Sequence, residues 1–531
     1  MKYILGVLLI FVFHGERVFA QVSDRTIQDR FAMGITPEEL KEHLYILASD
    51  AFKGRDTGSP ELKKAAEYLA DYYKGLGVKP AVNGVSYFQE YRLKRSVIKS
   101  STIQAGKKQV YSFKKDYYSF GGFESVNWNN APIVFAGYGI ESEKYNDYKN
   151  IDVKGAIVLC IDGEPTDRSG NSIFTGNSST SDWSDDFRLK RDIAQKKGAL
   201  GIVLVDKTFD YVIERITYFL DQPRMSLDYL GEKEEQVLPY FFISPKMADA
   251  LLKGSKVRSI ADFEKKVAEG GAAVRSKLKR KLSATYEMVT EKFTADNVLC
   301  YIEGSDPLLK NEVVVISAHY DHVGEMGGKI YNGADDDGSG TVSAMEIAEA
   351  FVEAKQSGNG PRRSVLVLHV SGEEKGLLGS EWYSEFPIYP LQNTVCNLNI
   401  DMIGRVDDQH KDNPNYIYLI GSDKLSTDLH KISEETNKRF TQLALDYTYN
   451  DPNDPNRFYY RSDHYNFAKH NIPVIFYFSG VHEDYHQPGD DPEKIMYDKM
   501  AIIARLIFYT AWEVSNRDER LKVDVVNDFK N

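Results

Sequence analysis

The stretch from Val313 to Ala350, VVVISAHYDHVGEMGGKIYNGADDDGSGTVSAMEIAEA, opens as a strand and closes as a helix. Val313 to Ser317 is the apolar, β-branched run that a strand buried on both faces needs. His319 and Asp321 follow two residues apart, on one side of an extended chain and at the strand's carboxyl end. After a glycine-bearing loop, Asn332-Gly-Ala-Asp335-Asp336-Asp337-Gly338-Ser-Gly340 sets three adjacent carboxylates immediately before a helix. Three buried anions repel one another, and a cation reconciles them. In the helix, Val342, Met345, Ala348 and Val352 fall on one core-facing stripe.

Outward from this stretch, strands and helices alternate from Thr294 onward. NVLCYIEG, SVLVLHVSGEE, NTVCNLNIDMIG, NYIYLIGS and IPVIFYFSG read as strands, and LLGSEWYSEF, STDLHKISEETNKRF, RSDHYNFAKH and YDKMAIIARLIFYTAWEV as helices. Such alternation predicts an α/β fold, a mostly parallel sheet flanked by helices. Ligand sites in open sheets of this kind form outside the carboxyl ends of the strands. His319 follows one strand, Glu373 and Glu374 a second, Asp401 a third, and His486 lies in the loop after a fourth. Two histidines and several carboxylates without thiolates suit zinc, cobalt or manganese. So many carboxylates can hold two metals about 3.5 to 4 Å apart with an acidified water between them. One glutamate left uncoordinated then serves as general base, and the chemistry is metal-assisted hydrolysis.

The 531-residue chain is too long for one ordinary core. Residues 1–20 read as a secretory signal, with Lys2, an apolar run from Ile4 to Phe13 and Val18-Phe19-Ala20 as cleavage site, so the expected location is secreted or periplasmic with no stable membrane anchor. Residues 21–90 hold two helices with no strand repeat, 91–285 form an inserted β-rich domain, 286–520 the catalytic domain and 521–531 a tail. A formal net charge of −12 argues against a nucleic-acid partner. Cys160, Cys300 and Cys396 sit in apolar runs and read as buried free thiols, with one disulfide as the alternative.

These residues resemble the secreted di-zinc aminopeptidases, a group of zinc exopeptidases that also includes glutamate carboxypeptidase, glutaminyl cyclases and the inert transferrin receptor ectodomain. The resemblance rests on His319-Tyr-Asp321-His322, Asn332-Gly-Ala-Asp335-Asp336-Asp337-Gly, Gly372-Glu373-Glu374-Lys-Gly376-Leu-Leu-Gly379-Ser380, Asp401-Met402, Ser462-Asp463-His464 and Tyr485-His486-Gln-Pro488, in family order from Asn297 to about Ser515. Residues 36–80 are similar to the family's N-terminal helices. The resemblance implies two zinc ions, one held by His319, Asp335 and Asp401 and the other by Asp335, Glu374 and His486. It implies Glu373 as general base, Asp321 as hydrogen-bond partner of the far nitrogen of His319, and a cis bond between Asp335 and Asp336. Tyr459 stands where the family carries an oxyanion-stabilising tyrosine, and Tyr460 is adjacent. His322, His369, His464 and His482 have no ligand role in the pattern. The inserted segment, through VFAGYGIESEKYNDYKNIDVKGAIVLC and AQKKGALGIVLV, resembles the protease-associated domain.

The expected activity is removal of N-terminal residues from peptide substrates. Its alternatives are a carboxypeptidase, for which Arg405, Arg457 or Arg461 would anchor a substrate carboxylate, a glutaminyl cyclase, or a receptor-like binding protein.

Overall fold

The computed structural model describes residues 26–106, 108–229, 237–270 and 275–527. The expected signal at 1–20 lies outside them. The chain divides into two compact units, Arg92–Phe293 and the chain on either side of that segment, up to Tyr91 and from Thr294. The inserted unit therefore runs past the expected edge at 285. The reason is local: Ser276–Ile302 is one uninterrupted strand, with no turn to mark a boundary inside it.

In the flanking unit, α1 (Pro37–Leu47) starts where the Thr36 hydroxyl accepts from the Glu39 amide, with Pro37 in the first turn, where a missing N–H costs nothing. α2 (Pro60–Gly75) repeats the device with Ser59 and Pro60. Then follow β1 (Val313–His319), α3 (Gly340–Gln356), β2 (Ser364–Val370), β3 (Thr394–Ile400), β4 (Tyr416–Ile420), β5 (Val474–Phe478) and α4 (Tyr497–Asn516). The sheet order is β4-β5-β3-β1-β2. β1 pairs parallel with both β2 and β3, and β3 parallel with β5, whereas β4 runs antiparallel to β5. Residues 298–302 of the long strand close the far side, antiparallel to β2. The consequence for function is direct: β1, β2, β3 and β5 end at one edge.

Every residue of β1, β2, β3 and β5 is buried, which explains their largely apolar character, and the buried Asn397 and Asn399 of β3 are paired, donating to the Ser317 and Ser462 hydroxyls. The helix α3 departs from the expected single stripe. Thr341, Ser343, Ala344, Glu346 and Ile347 are buried along with Val342, Met345, Ala348 and Val352. Small residues around its circumference let the sheet, α1 and α4 approach it from several sides at once.

The inserted unit has its own core around Trp128, Phe135, Val158, Leu204 and Phe241. Strands Val126–Phe135, Ile157–Ile161, Gly201–Val205 and Tyr240–Ile243 pair parallel in that order, and helices such as Phe187–Lys196 and Pro245–Leu252 accompany them. Asp186 caps the first of these helices by accepting from the Arg188 amide. The three cysteines are buried free thiols, and burial pushes Cys160 and Cys396 up to about 12, far from reactive thiolates.

Candidate metal centre

Each polar group at the common edge is positioned by the end of its strand. His319 closes β1, Glu373 and Glu374 form a one-turn helix after β2, Asp401 follows β3, and His486 sits in the loop beyond β5. The imidazole Nε2 of His319 lies 3.3 Å from Asp336 Oδ1, 3.7 Å from Asp401 Oδ1 and 4.0 Å from Glu373 Oε2. On the other side of Asp336, His486 Nε2 is 3.0 Å from Asp336 Oδ2 and 3.1 Å from Glu374 Oε2. Two groups of metal-competent atoms thus share the carboxylate of Asp336: His319, Asp336 and Asp401, and Asp336, Glu374 and His486.

The shared carboxylate is Asp336, where the resemblance implied Asp335. Asp335 turns away from the cluster, and its Oδ1 accepts from the Gly404 amide at 2.6 Å while Oδ2 faces His482 at 3.3 Å. The non-proline cis bond likewise joins Asp336 to Asp337, one bond later than implied. Asp337 binds the structure together: it accepts from the amides of His319, Gly340 and Met402. Asp490 fixes the loop from behind, accepting from the amides of Asp335 and Asp336.

Two further expectations change. The Nδ1 of His319 lies 3.1 Å from the backbone carbonyl of Asp321 and 3.7 Å from its carboxylate. That carboxylate instead accepts from the Thr57 hydroxyl and the Glu373 amide, so Asp321 holds Glu373 in position. Tyr459 is packed among Tyr460, His464 and Tyr465, with its ring edge against Gly421, and does not line the cavity beside the cluster. The tyrosine that does is Tyr485, stacked on His486 with ring centroids 4.0 Å apart. Its signal in the sequence is adjacency to His486.

The Ser462-Asp463-His464 motif resolves into three tasks. The Ser462 hydroxyl donates to Asp401 at 2.7 Å and accepts from Asn399, orienting the metal-facing carboxylate. Asp463 accepts from Ser380 at 2.5 Å, joining this segment to the helix Leu378–Glu385 that follows β2. His464 stacks on Phe476, and burial lowers its ring to about 3. Backbone strain gathers here too: His486 and Met402 occupy the left-handed region, with φ of 51° and 58°.

The donor set fits metal ions. His319 Nε2, Asp336 Oδ2 and Glu374 Oε1 are buried without a hydrogen-bond partner, which is expensive unless a cation completes them. Burial works against a charged His486, yet Asp336 and Glu374 hold it up to about 10. A protonated imidazole must release its proton before it can coordinate, so zinc affinity should rise as pH is raised from about 6 to about 8. Zinc titrations of the ion-free protein by calorimetry, in buffers of different ionisation enthalpy, should register protons released at neutral pH. No release and a pH-independent affinity would contradict this.

Arg55 supports the same loops from the N-terminal segment. Its guanidinium is fully buried and donates to the carbonyls of Leu47, Tyr320, Asn332 and Gly333 at 2.7 to 2.9 Å. Arg55→Met would strip four buried carbonyls of their donor, and the expected cost is ~3 kcal/mol or more. Urea unfolding in the presence of a chelator measures it without a contribution from bound metal.

The cavity beside the cluster is lined by Asp336, Glu373 and Asp401, by the apolar Met402, Phe458, Phe476, Phe478 and Val481, and by Arg461, Tyr485 and His486. An α/β fold of the zinc-exopeptidase type, with paired acidic and histidine groups at the carboxyl edge of its sheet, is the class these features define. Within that class, residues 297–511 match the model of Peptidase family M28, and residues 129–251, ahead of them, match that of the PA domain.

The chain is 29% identical over 239 residues to a probable leucine aminopeptidase of Trichophyton verrucosum, an alignment covering 44% of this chain and 61% of that protein. It is 33% identical over 118 residues to a vacuolar membrane protease of Tuber melanosporum, covering 22% of this chain and 12% of that one. It therefore spans less than two thirds of these relatives' lengths. The aminopeptidase from Aneurinibacillus sp. strain AM-1 shares the fold over 94% of this chain and 98% of its own, with a TM-score of 0.54 at 17% identity. Among the described residues, no helix is long and apolar enough to cross a membrane.

Proposed function

We propose that this chain is an exported metallo-aminopeptidase that hydrolyses the first peptide bond of its substrates with two zinc ions. The observation that carries the reading is the pair of donor groups sharing Asp336, with Glu373 beside them at the head of an apolar cavity. His319, Asp336 and Asp401 would hold one ion, and Asp336, Glu374 and His486 the other. When bound, zinc supplies Lewis acidity toward the scissile carbonyl and toward water.

The chain's own groups supply the rest. Glu373 belongs to neither donor group, its amide is held by Asp321, and burial raises its carboxyl well above the usual range. Such a group takes a proton from the attacking water and returns it to the leaving amine. Tyr485, which lines the cavity stacked on His486, would donate a hydrogen bond to the oxygen of the carbonyl under attack. The apolar wall takes the side chain of the first residue, in keeping with relatives described as leucine aminopeptidases. Export rests on the N-terminal sequence pattern alone.

A second reading has one observation in its favour. Of the three arginines near the motifs, Arg405 is engaged by Asp484 at 3.1 Å and Arg457 lies over the Tyr460 ring, whereas Arg461 lines the cavity. A guanidinium there suits a substrate carboxylate, as in a carboxypeptidase. Hydrolysis of a leucine chromogenic amide and of its N-acetylated twin separates the readings. Cleavage of the free-amine substrate only supports the aminopeptidase. Cleavage of neither, together with release of C-terminal residues from blocked peptides, supports the second, and no hydrolysis by the zinc-loaded protein moves it to a binding role.

A further inference from the structure

Resting on the two-ion reading above, we infer that His322 is an additional metal ligand, completing the second position through its Nδ1 beside Asp336, Glu374 and His486. It lies outside the ligand set that the family resemblance implies. The argument is geometric and begins with burial. The His322 ring has no exposed surface, and neither of its nitrogens has a hydrogen-bond partner. An imidazole left in that state is costly unless something else occupies its lone pair.

The Nδ1 atom faces the acids of the second group. It lies 2.8 Å from Glu374 Oε1 and 3.8 Å from Asp336 Oδ2. The shorter distance would normally be a hydrogen bond, yet both His322 Nδ1 and Glu374 Oε1 remain without one, because the angles do not serve it. The two atoms are neighbours that do not aim at each other. Ligands of one ion are arranged in this way: bonds of about 2.0 to 2.2 Å to a common centre leave adjacent donor atoms about 3 to 3.5 Å apart. The same spacing recurs across the position, where His486 Nε2 lies 3.0 Å from Asp336 Oδ2 and 3.1 Å from Glu374 Oε2. Each oxygen of Glu374 thus faces a different histidine.

The ring is also held where it is. The His322 amide donates to the Arg55 carbonyl at 3.2 Å. Gly333, at φ 57°, lies so close that a Cβ there would sit 2.5 Å from the imidazole carbons. A glycine is needed at this turn both for its backbone angle and for the space. Other buried histidines differ in what faces them: His369 bonds the Tyr73 hydroxyl at 2.6 Å, and His464, whose ring nitrogens are also unpaired, stacks on Phe476, whereas His322 Nδ1 faces Glu374 and Asp336.

With His322 included, the second position has four protein residues and the first has three, His319, Asp336 and Asp401. The second ion is then the more firmly held, and the first is the more open to substrate.

The test is zinc titration of the ion-free full chain against a chelating dye, for wild type, His322→Leu and His322→Gln. Wild type should take two ions. His322→Leu should keep one affinity and weaken the other by about 100-fold or more, while its ion-free form unfolds at the wild-type temperature or higher, since an unsatisfied polar group has been removed. Cobalt substitution gives an independent readout, because loss of a nitrogen donor changes the visible absorption of one of the two ions. Should His322→Leu fail to fold, His322→Gln decides by the same titration. Two ions bound with affinities within about threefold of wild type, and an unchanged cobalt spectrum, would overturn the assignment of His322 alone. A wild-type chain that takes fewer than two ions would overturn the two-ion reading and this inference with it.

Discussion

Glu373→Gln is expected to lower kcat on a leucyl amide by about three orders of magnitude while the protein keeps its full zinc content. The amide is nearly the size of the carboxylate and can still accept from a neighbour, so the pocket survives. What it lacks is a proton-accepting oxygen of suitable basicity. Glu373 is 4.0 Å from His319 Nε2 at its nearest and stands outside both donor groups, which is why metal content should not follow activity. A variant that loses zinc along with activity would make Glu373 a ligand. One that retains activity would move the base elsewhere in the cavity.

The second large effect separates two adjacent aspartates. Asp336→Ala removes the carboxylate common to both donor groups, and the expected result is loss of both ions and of measurable hydrolysis, a fall of roughly 10⁴-fold or more. Asp335→Asn should bind two ions as wild type does. Its amide oxygen can still accept from Gly404, and the expected change is a stability loss of about 1 kcal/mol from the weakened contact with His482. Metal content and thermal unfolding of the two variants, side by side, measure both. Equal loss of zinc from Asp335→Asn would return the bridging role to Asp335.

That pair also marks the limit of what the sequence discloses. The four strand ends were legible because β1, β2, β3 and β5 are short apolar runs, each stopping at a polar residue, and a parallel sheet brings such ends to one edge. Which of three consecutive aspartates faces inward was not legible, since identical residues carry no pattern. The answer lies in tertiary contacts: Gly404 and His482 claim Asp335, and the amides of His319, Gly340 and Met402 claim Asp337. Tyr459 failed for a similar reason, because a tyrosine near a motif can as readily fill an aromatic core, and the packing around Gly421 took it. His322 stood in plain view beside Asp321. Nothing in its spacing distinguished it from a packed histidine such as His369; the distinction lies in the fold, which turns its Nδ1 toward Glu374 and Asp336. The far end of the inserted unit was missed because a strand crosses it.

The Arg55 anchorage has a consequence in time as well as in space. Its guanidinium reaches Tyr320 across 265 residues, and the same flanking unit joins Ile35 to Arg505 across 470 and Asp29 to Tyr509 across 480. A chain emerging from the ribosome holds α1 and α2 long before any of these partners exists. Unit Arg92–Phe293, whose parallel strands meet neighbours a few dozen residues away, can condense while the flanking helices wait. Closing such long loops is slow, although each doubling of their length adds only about 0.6 kcal/mol of entropy. The metal centre is therefore complete only once the loop carrying His486 and Asp490 has been made, and a chain stopped short of it has no assembled centre.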